Sequence, residues 1–182
     1  MKFFPTELDG VLVFEPDVLK DAHGFFLETY HHRKYREAGI EKPFVQENHS
    51  RSARGTIRGL HAQRTRPQGK LIWVLQGAIF DVMVAIRKGS PTFRRWIKVE
   101  LRADNFLQCY VPPGFAHGFC VRSEFAEVAY KCTEFYDPRD ELRVIWNDRT
   151  IGVQWPTDAP LLSDKDRCAR PLDELMDELP LF

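Results

Sequence analysis

A chain of 182 residues is long enough for one domain with a single core, because domains commonly hold about 100–200 residues. Its 26 basic and 26 acidic side chains give a formal charge of zero, which argues against the basic surface that nucleic-acid binding requires. No apolar run approaches the roughly 20 residues that span a bilayer. We therefore predict one domain over residues 1–182 that binds neither nucleic acid nor a membrane.

The amino terminus and the cysteines predict a cytoplasmic protein. The first residues, MKFFPTE, lack the apolar run of a signal peptide. Cys109, Cys120, Cys132 and Cys168 show no C-x-x-C pairing, which argues against a zinc knuckle or a redox motif. Free thiols in a reducing compartment explain them more simply.

Short segments separated by Gly, Pro, Asn and Asp predict a mostly β chain. The predicted strands, in chain order, are Val11–Phe14, Phe25–Tyr30, Phe44–Asn48, Thr56–Gln63, Leu71–Leu75, Ala78–Ile86, Trp96–Leu101, Phe106–Val111, Phe119–Arg122 and Glu127–Phe135. Two short helices are predicted at His32–Ala38 and Asp173–Leu179. This spacing indicates an all-β fold, either an antiparallel sandwich or a closed barrel.

The segment Ala78–Ile86 is apolar on both faces. It follows Gln76-Gly77, which we interpret as a tight hairpin turn. Successive side chains of a strand point to opposite faces, and here both faces are largely apolar, so both must be covered. One would line the barrel and the other would meet a second sheet or a second subunit, which favours a dimer.

Polar side chains in the segment from Arg58 to Gln63 interrupt an otherwise apolar strand. His61 could be a histidine satisfied in the core wall, since buried polar groups must be hydrogen-bonded. Lys70 at the mouth of the next strand and Asp81 in the strand after it favour a functional site instead. A regular strand would aim Arg58 and His61 at opposite faces, so a bulge at Gly59, or a twist at the end of the strand, is needed to bring both to one ligand.

The segment from Pro112 to Phe119 contains P-x-G-x-x-H, the second half of the metal signature of cupin barrels. The first half would require two closely spaced histidines and a carboxylate. The chain offers only His61 followed by Gln63, which is too few for the three or four ligands a metal normally takes. We therefore predict no metal.

Tyr130 lies on the strand Glu127–Phe135 and shares a face with Val128 and Cys132. An ordinary core tyrosine and an acid facing a cavity both fit this position. The charged run Leu162–Arg167, taken alone, is typical of a solvated loop. Together His, Lys, Asp and Tyr would supply a base, a cation for an oxyanion and an acid, which suits proton transfer.

Read in order, the chain resembles the dTDP-4-dehydrorhamnose 3,5-epimerase family. The matching segments, which span nearly the whole chain, are Gly24–Glu28, Phe44–Ser50, Arg58–His61, Gln68–Leu71, Phe80–Val82, Arg87–Phe93, Gly114–Phe119, Tyr130–Glu134, Trp146–Asp148, Ile151–Pro156 and Leu162–Asp166. The resemblance implies a cupin-type jelly roll, a homodimer and no cofactor. It also implies a nucleotide-linked 4-keto-6-deoxy sugar as the substrate, most simply dTDP-4-dehydro-6-deoxyglucose.

The resemblance further implies the catalytic roles. His61 would be the base that removes the acidic hydrogens at C3 and C5, oriented by Asp166. Lys70 would stabilise the enolate oxygen, and Tyr130 would return a proton from the opposite face. Asp81 matches an acidic position of the family, most simply as a partner for Lys70.

Nine substrate contacts are also implied by the resemblance. Two of them would hold the pyrophosphate, four match the nucleotide-binding region and three complete the set; in that order they are Arg58 and His117, then Phe26, Glu28, Gln46 and Asn48, then His23, Gln63 and Tyr136. The chain departs from the family pattern at three positions. His23 replaces the usual Arg, Trp73 replaces a common basic residue and Ala85 replaces a common Asp, which bears on the phosphate contacts more than on the chemistry.

Four alternatives stay open from the sequence. The first is an epimerase acting at C3 alone or at C5 alone, because the same base and acid would serve it. The second is a 3,4-ketoisomerase on a related barrel. The third is a nucleotide-sugar-binding barrel without activity, although its loss of catalysis would leave the four catalytic side chains unexplained. The last is a metal-dependent cupin dioxygenase, which lacks ligands here.

Overall fold

The computed structural model describes residues 1–181 and builds them mainly from short antiparallel strands. The strands are β1 (Lys2–Pro5), β2 (Leu12–Glu15), β3 (Val18–Asp21), β4 (Gly24–Leu27), β5 (Gln46–Ala53), β6 (Ile57–Gln63), β7 (Lys70–Gln76), β8 (Ala78–Ala85), β9 (Trp96–Arg102), β10 (Gln108–Val111), β11 (Phe115–Val121), β12 (Phe125–Cys132) and β13 (Glu141–Arg143). The helices are α1 (His32–Glu37), α2 (Asp164–Arg167) and a 3-10 helix (Leu172–Leu175).

Two sheets face each other and form the barrel. The first has the order β1-β2-β10-β7-β12-β5 and the second β13-β6-β11-β8-β9, while β3 and β4 form a separate hairpin. Most connections after β5 cross from one sheet to the other, which is the winding of a jelly roll. The predicted all-β, cupin-type jelly roll with minor helices is confirmed.

The predicted hairpin turn at Gln76-Gly77 is wrong. β7 belongs to the first sheet and β8 to the second, so the chain turns a corner between sheets. Gly77 has φ +82°, and a Cβ there would lie 2.2 Å from the Phe125 carbonyl oxygen. The Ser123 hydroxyl accepts a hydrogen bond from the Ala78 amide at 2.9 Å. A glycine turn between two apolar strands is thus compatible with a hairpin and with a corner between two sheets. Which of these forms depends on the strands with which β7 and β8 pair.

Three apolar layers cover the sheets. The inner layer lies between the two sheets and includes Ile79 and Met83 of β8. The opposite face of β8, with Val82 and Val84, packs against the carboxy-terminal segment of the same chain, including Leu172, Leu175 and Leu179. A third layer places Tyr35 of α1 on the outer face of the first sheet. Because its own chain covers the second face of β8, the argument from that strand for a dimer is lost.

Element boundaries follow the prediction where alternation is strong and miss it elsewhere. β1, β3, β13 and α2 were not predicted. The predicted helix Asp173–Leu179 is only a 3-10 helix over Leu172–Leu175. Its start is fixed because the Leu172 amide donates to the Asp148 carboxylate at 2.7 Å, and Pro180 closes the segment. Among residues 1–181, no helix combines the length and the apolar character needed to cross a bilayer.

The predicted bulge in β6 is present. His61 pairs with His117 and Arg58 with Phe119 in the register of β6 against β11. Three steps along β6 therefore oppose two steps along β11, which is the count of a β-bulge. The extra residue turns Arg58 and His61 toward the same side, as one ligand site requires.

We predict that Gly59→Ala destabilises the fold through contact as well as backbone strain. Gly59 has φ +127°, and a Cβ would lie 2.5 Å from Gly118 Cα and 2.8 Å from the His117 carbonyl oxygen. The free energy of unfolding should fall by about 3 kcal/mol or more, measured by urea denaturation. Gly24→Ala is the matched control, because Gly24 has φ +132° but nothing within 4 Å. It should lose only about 1–2 kcal/mol, and equal losses in both variants would contradict the close-approach argument.

Candidate active site

A cavity of about 440 Å³ lies between the two sheets. β5, β7 and β12 supply its wall from the first sheet, β6, β11 and β13 its wall from the second, and α2 closes one side. Ten of the residues predicted for the site line it: Gln46, Asn48, Arg58, His61, Gln63, Lys70, His117, Tyr130, Tyr136 and Asp166. Residues far apart in the sequence thus meet at one concave surface.

His61 and Asp166 form a hydrogen-bonded pair in this cavity. Asp166 lies in the first turn of α2, where the Ser163 hydroxyl caps the helix by accepting from the Asp166 amide at 3.2 Å. Its Oδ1 lies 2.5 Å from His61 Nε2. Burial by itself would raise the pKa of the Asp166 carboxyl, but the hydrogen bond and charge of His61 and the bonds from Ser163 and Gly59 outweigh it and hold that pKa below its ordinary value. The carboxylate therefore stays ionised beside the imidazole.

The contact with Asp166 fixes which nitrogen of His61 can act as a base. A carboxylate accepts hydrogen bonds, so Nε2 carries the hydrogen, and in the neutral ring Nδ1 is then unprotonated. No hydrogen bond of Nδ1 is found among residues 1–181. With Asp166 ionised, an imidazolium formed by proton uptake at Nδ1 would be stabilised in place.

Lys70 begins β7 and is enclosed by the cavity walls. Desolvation lowers the pKa of its ammonium below the ordinary value, and nearby Cys132, Glu141 and Asp81 offset only part of this effect. In the described part of the chain its ammonium makes no hydrogen bond or ion pair. An unpaired cation in a poorly hydrated site interacts strongly with any negative charge that develops beside it.

Tyr130 points into the cavity on the same face of β12 as Val128 and Cys132, as alternation predicts. It pairs in register with Asn48 on β5 and Ile72 on β7. Burial raises the pKa of its phenol above the ordinary value. The hydroxyl therefore keeps its proton at neutral pH and can donate it.

Arg58 and His117 also line the cavity, and each is held by a polar partner. The Arg58 Nε donates to the Ser52 hydroxyl at 2.9 Å, which fixes the guanidinium. His117 Nε2 lies 2.7 Å from Asp81 Oδ1, and Asp81 is fully buried. The expected pairing of Asp81 with Lys70 is therefore wrong: Asp81 on β8 lies beside β11 and binds His117, behind the cavity wall.

Three predicted substrate residues lie outside the cavity, on or just after the β3–β4 hairpin. His23 is at its tip with a side chain 95% exposed. Phe26 is 68% exposed. Glu28 accepts a hydrogen bond from Lys34 at 2.8 Å. Within one copy of the chain, the structure does not bring these three to the catalytic group.

Two of the departures from the family pattern also lie away from the ligand. Trp73 packs in the outer apolar layer with Phe14 and Tyr110, and Lys131 lies over its ring at 5.7 Å. Ala85 is part of the inner core. The expectation that Trp73 removes a cation from near the ligand is therefore wrong, because its side chain points to the other face of the sheet.

The cavity also contains residues that sequence reasoning did not select. They are Ser50, Gln68, Phe119, Cys132, Glu141, Ser163 and Lys165, with Ala62 and Val128. Alternation would have found Ser50 and Cys132, which share strand faces with Asn48 and Tyr130. Glu141 had no signal, because it begins a three-residue strand after an irregular loop.

Among residues 1–181, no group of three or more His, Cys, Asp and Glu side chains could hold a metal ion. The histidine pair His61 and His117 illustrates the reason, since each imidazole is bound to its own aspartate. His61 Nε2 faces Asp166 and His117 Nε2 faces Asp81.

Comparison with known proteins agrees with the site. A family model described as dTDP-4-dehydrorhamnose 3,5-epimerase matches residues 5–174. Two relatives bear that name: one from Pseudomonas aeruginosa is 50% identical over 169 residues, 92% of this chain and 93% of the relative. One from Neisseria gonorrhoeae is 49% identical over 167 residues, 91% of this chain, which spans only 51% of that longer protein.

The structure is also similar to solved ones. A dTDP-6-deoxy-D-glucose-3,5-epimerase from Legionella pneumophila, in complex with dTDP-4-keto-L-rhamnose, superposes with a TM-score of 0.97 at 42% identity. The match covers 100% of this chain and 98% of that one. With a family model matching nearly its full length, the chain belongs to the dTDP-4-dehydrorhamnose 3,5-epimerase family.

Proposed function

We propose that this chain epimerises C3 and C5 of dTDP-4-dehydro-6-deoxy-D-glucose, giving dTDP-4-dehydro-L-rhamnose, without a cofactor. The observation that carries the proposal is the His61–Asp166 pair, 2.5 Å apart, in the same cavity as Lys70 and Tyr130. A base, a cation and an acid are the three groups that inversion beside a ketone needs. Family membership supplies the substrate class.

The first step is removal of a proton from the carbon beside the ketone. His61 Nδ1 takes the proton, and the C–H electron pair forms a C=C bond to C4 of the sugar. The π electrons of the C4 carbonyl move to its oxygen, which becomes an enolate oxygen. Lys70 supplies positive charge to that oxygen as the negative charge develops. Asp166 stabilises the imidazolium, so the charge created on the base does not remain unpaired.

The second step returns a proton to the same carbon from the opposite face. Tyr130 donates its phenolic proton, the carbonyl re-forms and the centre is inverted. The cycle leaves His61 with one proton more and Tyr130 with one proton fewer, and exchange with water restores both. Hydrogen from solvent therefore enters every carbon that is inverted.

The neighbouring copy in a homodimer would supply the residues that this cavity lacks. The β3–β4 hairpin carries exposed Leu19, Phe25 and Phe26, an apolar surface typical of a protein contact. His23 and Glu28 lie at or beside it; the family resemblance assigns Phe26 and Glu28 to the nucleotide-binding region, and His23 stands at a position where the family usually has Arg. We place this dimer in the cytoplasm, where the four free cysteines would remain reduced.

We predict deuterium incorporation at C3 and C5 when the protein and dTDP-4-dehydro-6-deoxyglucose are mixed in deuterated water and followed by NMR. His61→Asn should lose incorporation at both carbons by about 1000-fold, because it removes the base. Tyr130→Phe should keep exchange but lose inversion by about 100-fold, because abstraction continues while the opposite-face donor is missing.

Matched controls lie outside the cavity. His49→Asn removes another histidine paired with a carboxylate, Glu127 at 3.1 Å, and Tyr110→Phe removes a buried hydroxyl of the outer layer; both should leave exchange within about twofold. Incorporation at one carbon alone would favour the monofunctional epimerase. A ketone moved to C3 would indicate the ketoisomerase, and no exchange would mean either a different nucleotide-sugar substrate or a binding protein.

We predict that Lys70 sets the alkaline limit of activity. Desolvation lowers the pKa of Lys70, so its positive charge is lost at a lower pH than that of an exposed lysine, whereas burial raises the pKa of the Tyr130 phenol. We therefore expect kcat to decrease on the alkaline side of its pH profile as the Lys70 ammonium loses its proton. In Lys70→Arg the guanidinium stays charged, so the maximal rate falls while the alkaline limb moves to higher pH. An unmoved limb in Lys70→Arg would show that another group sets it.

We predict that the protein is a dimer of about twice 21.3 kDa by sedimentation equilibrium. Phe26→Asp should shift the equilibrium toward the monomer and lower kcat/KM, because the hairpin would no longer reach a neighbouring cavity. Leu75→Asp is the control, since Leu75 is also an exposed apolar residue at 49% but lies on β7. A wild-type monomer, or an active dimeric Phe26→Asp, would contradict the assignment.

A further inference from the structure

The site contains a second histidine–aspartate pair that the proton-transfer steps leave unused. Asp81 Oδ1 lies 2.7 Å from His117 Nε2, and the histidine side chain is 10% exposed while that of the aspartate is 0% exposed. The other oxygen, Asp81 Oδ2, is buried without a hydrogen-bond partner among residues 1–181. His117 is thus the one direct partner of this carboxylate in the described chain.

Because the Asp81 carboxylate is buried, its pairing with His117 is energetically important. A carboxylate removed from water is strongly disfavoured unless it is paired, and no Lys or Arg of the described chain lies within salt-bridge distance of Asp81. An imidazole that donates from Nε2 satisfies the carboxylate in its neutral form and neutralises it fully when doubly protonated. The pair therefore has two stable states that differ by one proton.

The choice between these states depends on what faces the other nitrogen of His117. With Nε2–H directed at Asp81, Nδ1 of the neutral ring is an acceptor and cannot donate to a phosphate oxygen. The charged and titratable groups that line the cavity together with His117 are Arg58, His61, Lys70, Tyr130, Cys132, Tyr136, Glu141, Lys165 and Asp166. Arg58, Lys70 and Lys165 line the same cavity as His117, and a diphosphate bound there would bring negative charge beside the imidazole, which favours its protonated form.

We propose that Asp81 is a positioning residue that makes diphosphate binding proton-linked: His117 takes up a proton at Nδ1 when the nucleoside diphosphate binds, and donates it as a charge-assisted hydrogen bond to a phosphate oxygen. Asp81 fixes the ring and balances the new charge from behind. The inference rests on the proposed function, because it takes a nucleoside diphosphate as the ligand. It gives the two histidine–aspartate pairs different roles. His61 and Asp166 act on the reacting carbons, and His117 and Asp81 bind the anion.

Calorimetric titration of the protein with dTDP, in buffers of different ionisation enthalpy, counts the protons taken up on binding. Wild-type protein should take up close to one proton near neutral pH. Asp81→Asn should lose most of this uptake and bind dTDP about tenfold more weakly, the difference between a charge-assisted and a neutral hydrogen bond. Its kcat/KM for deuterium exchange should fall by about the same factor as its affinity for dTDP, because the lost contact is to the diphosphate.

Asp166→Asn is the matched variant, because it makes the same change in the other pair. It should keep the proton uptake and the dTDP affinity but lose exchange by about 100-fold or more. If Asp81→Asn does not fold, NMR of the histidine ring carbons in the wild-type protein decides instead, with the His117 signal assigned through His117→Gln. A shift of that signal to the doubly protonated form on dTDP addition supports the proposal.

Two results would overturn the inference. One is wild-type binding with no proton uptake, or uptake that persists unchanged in Asp81→Asn. The other is a His117 ring that stays neutral in the dTDP complex. Proton uptake by the wild-type protein on dTDP binding, without deuterium exchange at any carbon of the sugar substrate, would instead reject the proposed epimerase function while leaving the proton linkage in place.

Discussion

Strands β6 and β11 meet backbone to backbone at Gly59 and Gly118, and the chemistry of the cavity depends on this contact. A Cβ on Gly118 would lie 2.7 Å from the Arg58 carbonyl oxygen and 3.1 Å from Gly59 Cα. With no side chain on either glycine, β6 can bulge against its neighbour. The bulge turns Arg58 and His61 to one side, so the guanidinium and the imidazole line the same cavity. A regular strand would have placed one of them in the apolar layer behind the sheet.

The fold accommodates the polar groups of the cavity because apolar layers cover the other surfaces of the two sheets. Met83 and Val128 belong to the inner core, and the carboxy-terminal segment covers the back of the second sheet. Burial between the two sheets removes water from around Lys70 and Tyr130, which lowers the pKa of the lysine and raises that of the tyrosine. The fold therefore places a desolvated ammonium and a protonated phenol in the same cavity as the His61–Asp166 pair.

Alternation along single strands could be predicted from the sequence, and it gave the inward face of Tyr130 and the need for a bulge at Gly59. The predictions that were wrong or missing depended on which strands pair with each other. Gln76-Gly77 has the local signature of a hairpin, yet it joins two sheets. The missed Glu141 enters the cavity only because β13 pairs with β6.

Lys70 shows most clearly how long-range pairing decides function. The family resemblance implied Asp81 as an acidic residue near the catalytic group, most simply as a partner for Lys70. The pairing of β8 with β11 gives Asp81 to His117 instead, while α2 delivers Asp166 to His61. Asp81 and Asp166 are thus each held by an imidazole, and Lys70 has no carboxylate partner in the described part of the chain. A lysine held by a carboxylate would have its charge already compensated, whereas the free ammonium keeps its full attraction for an oxygen that becomes negative only during the reaction.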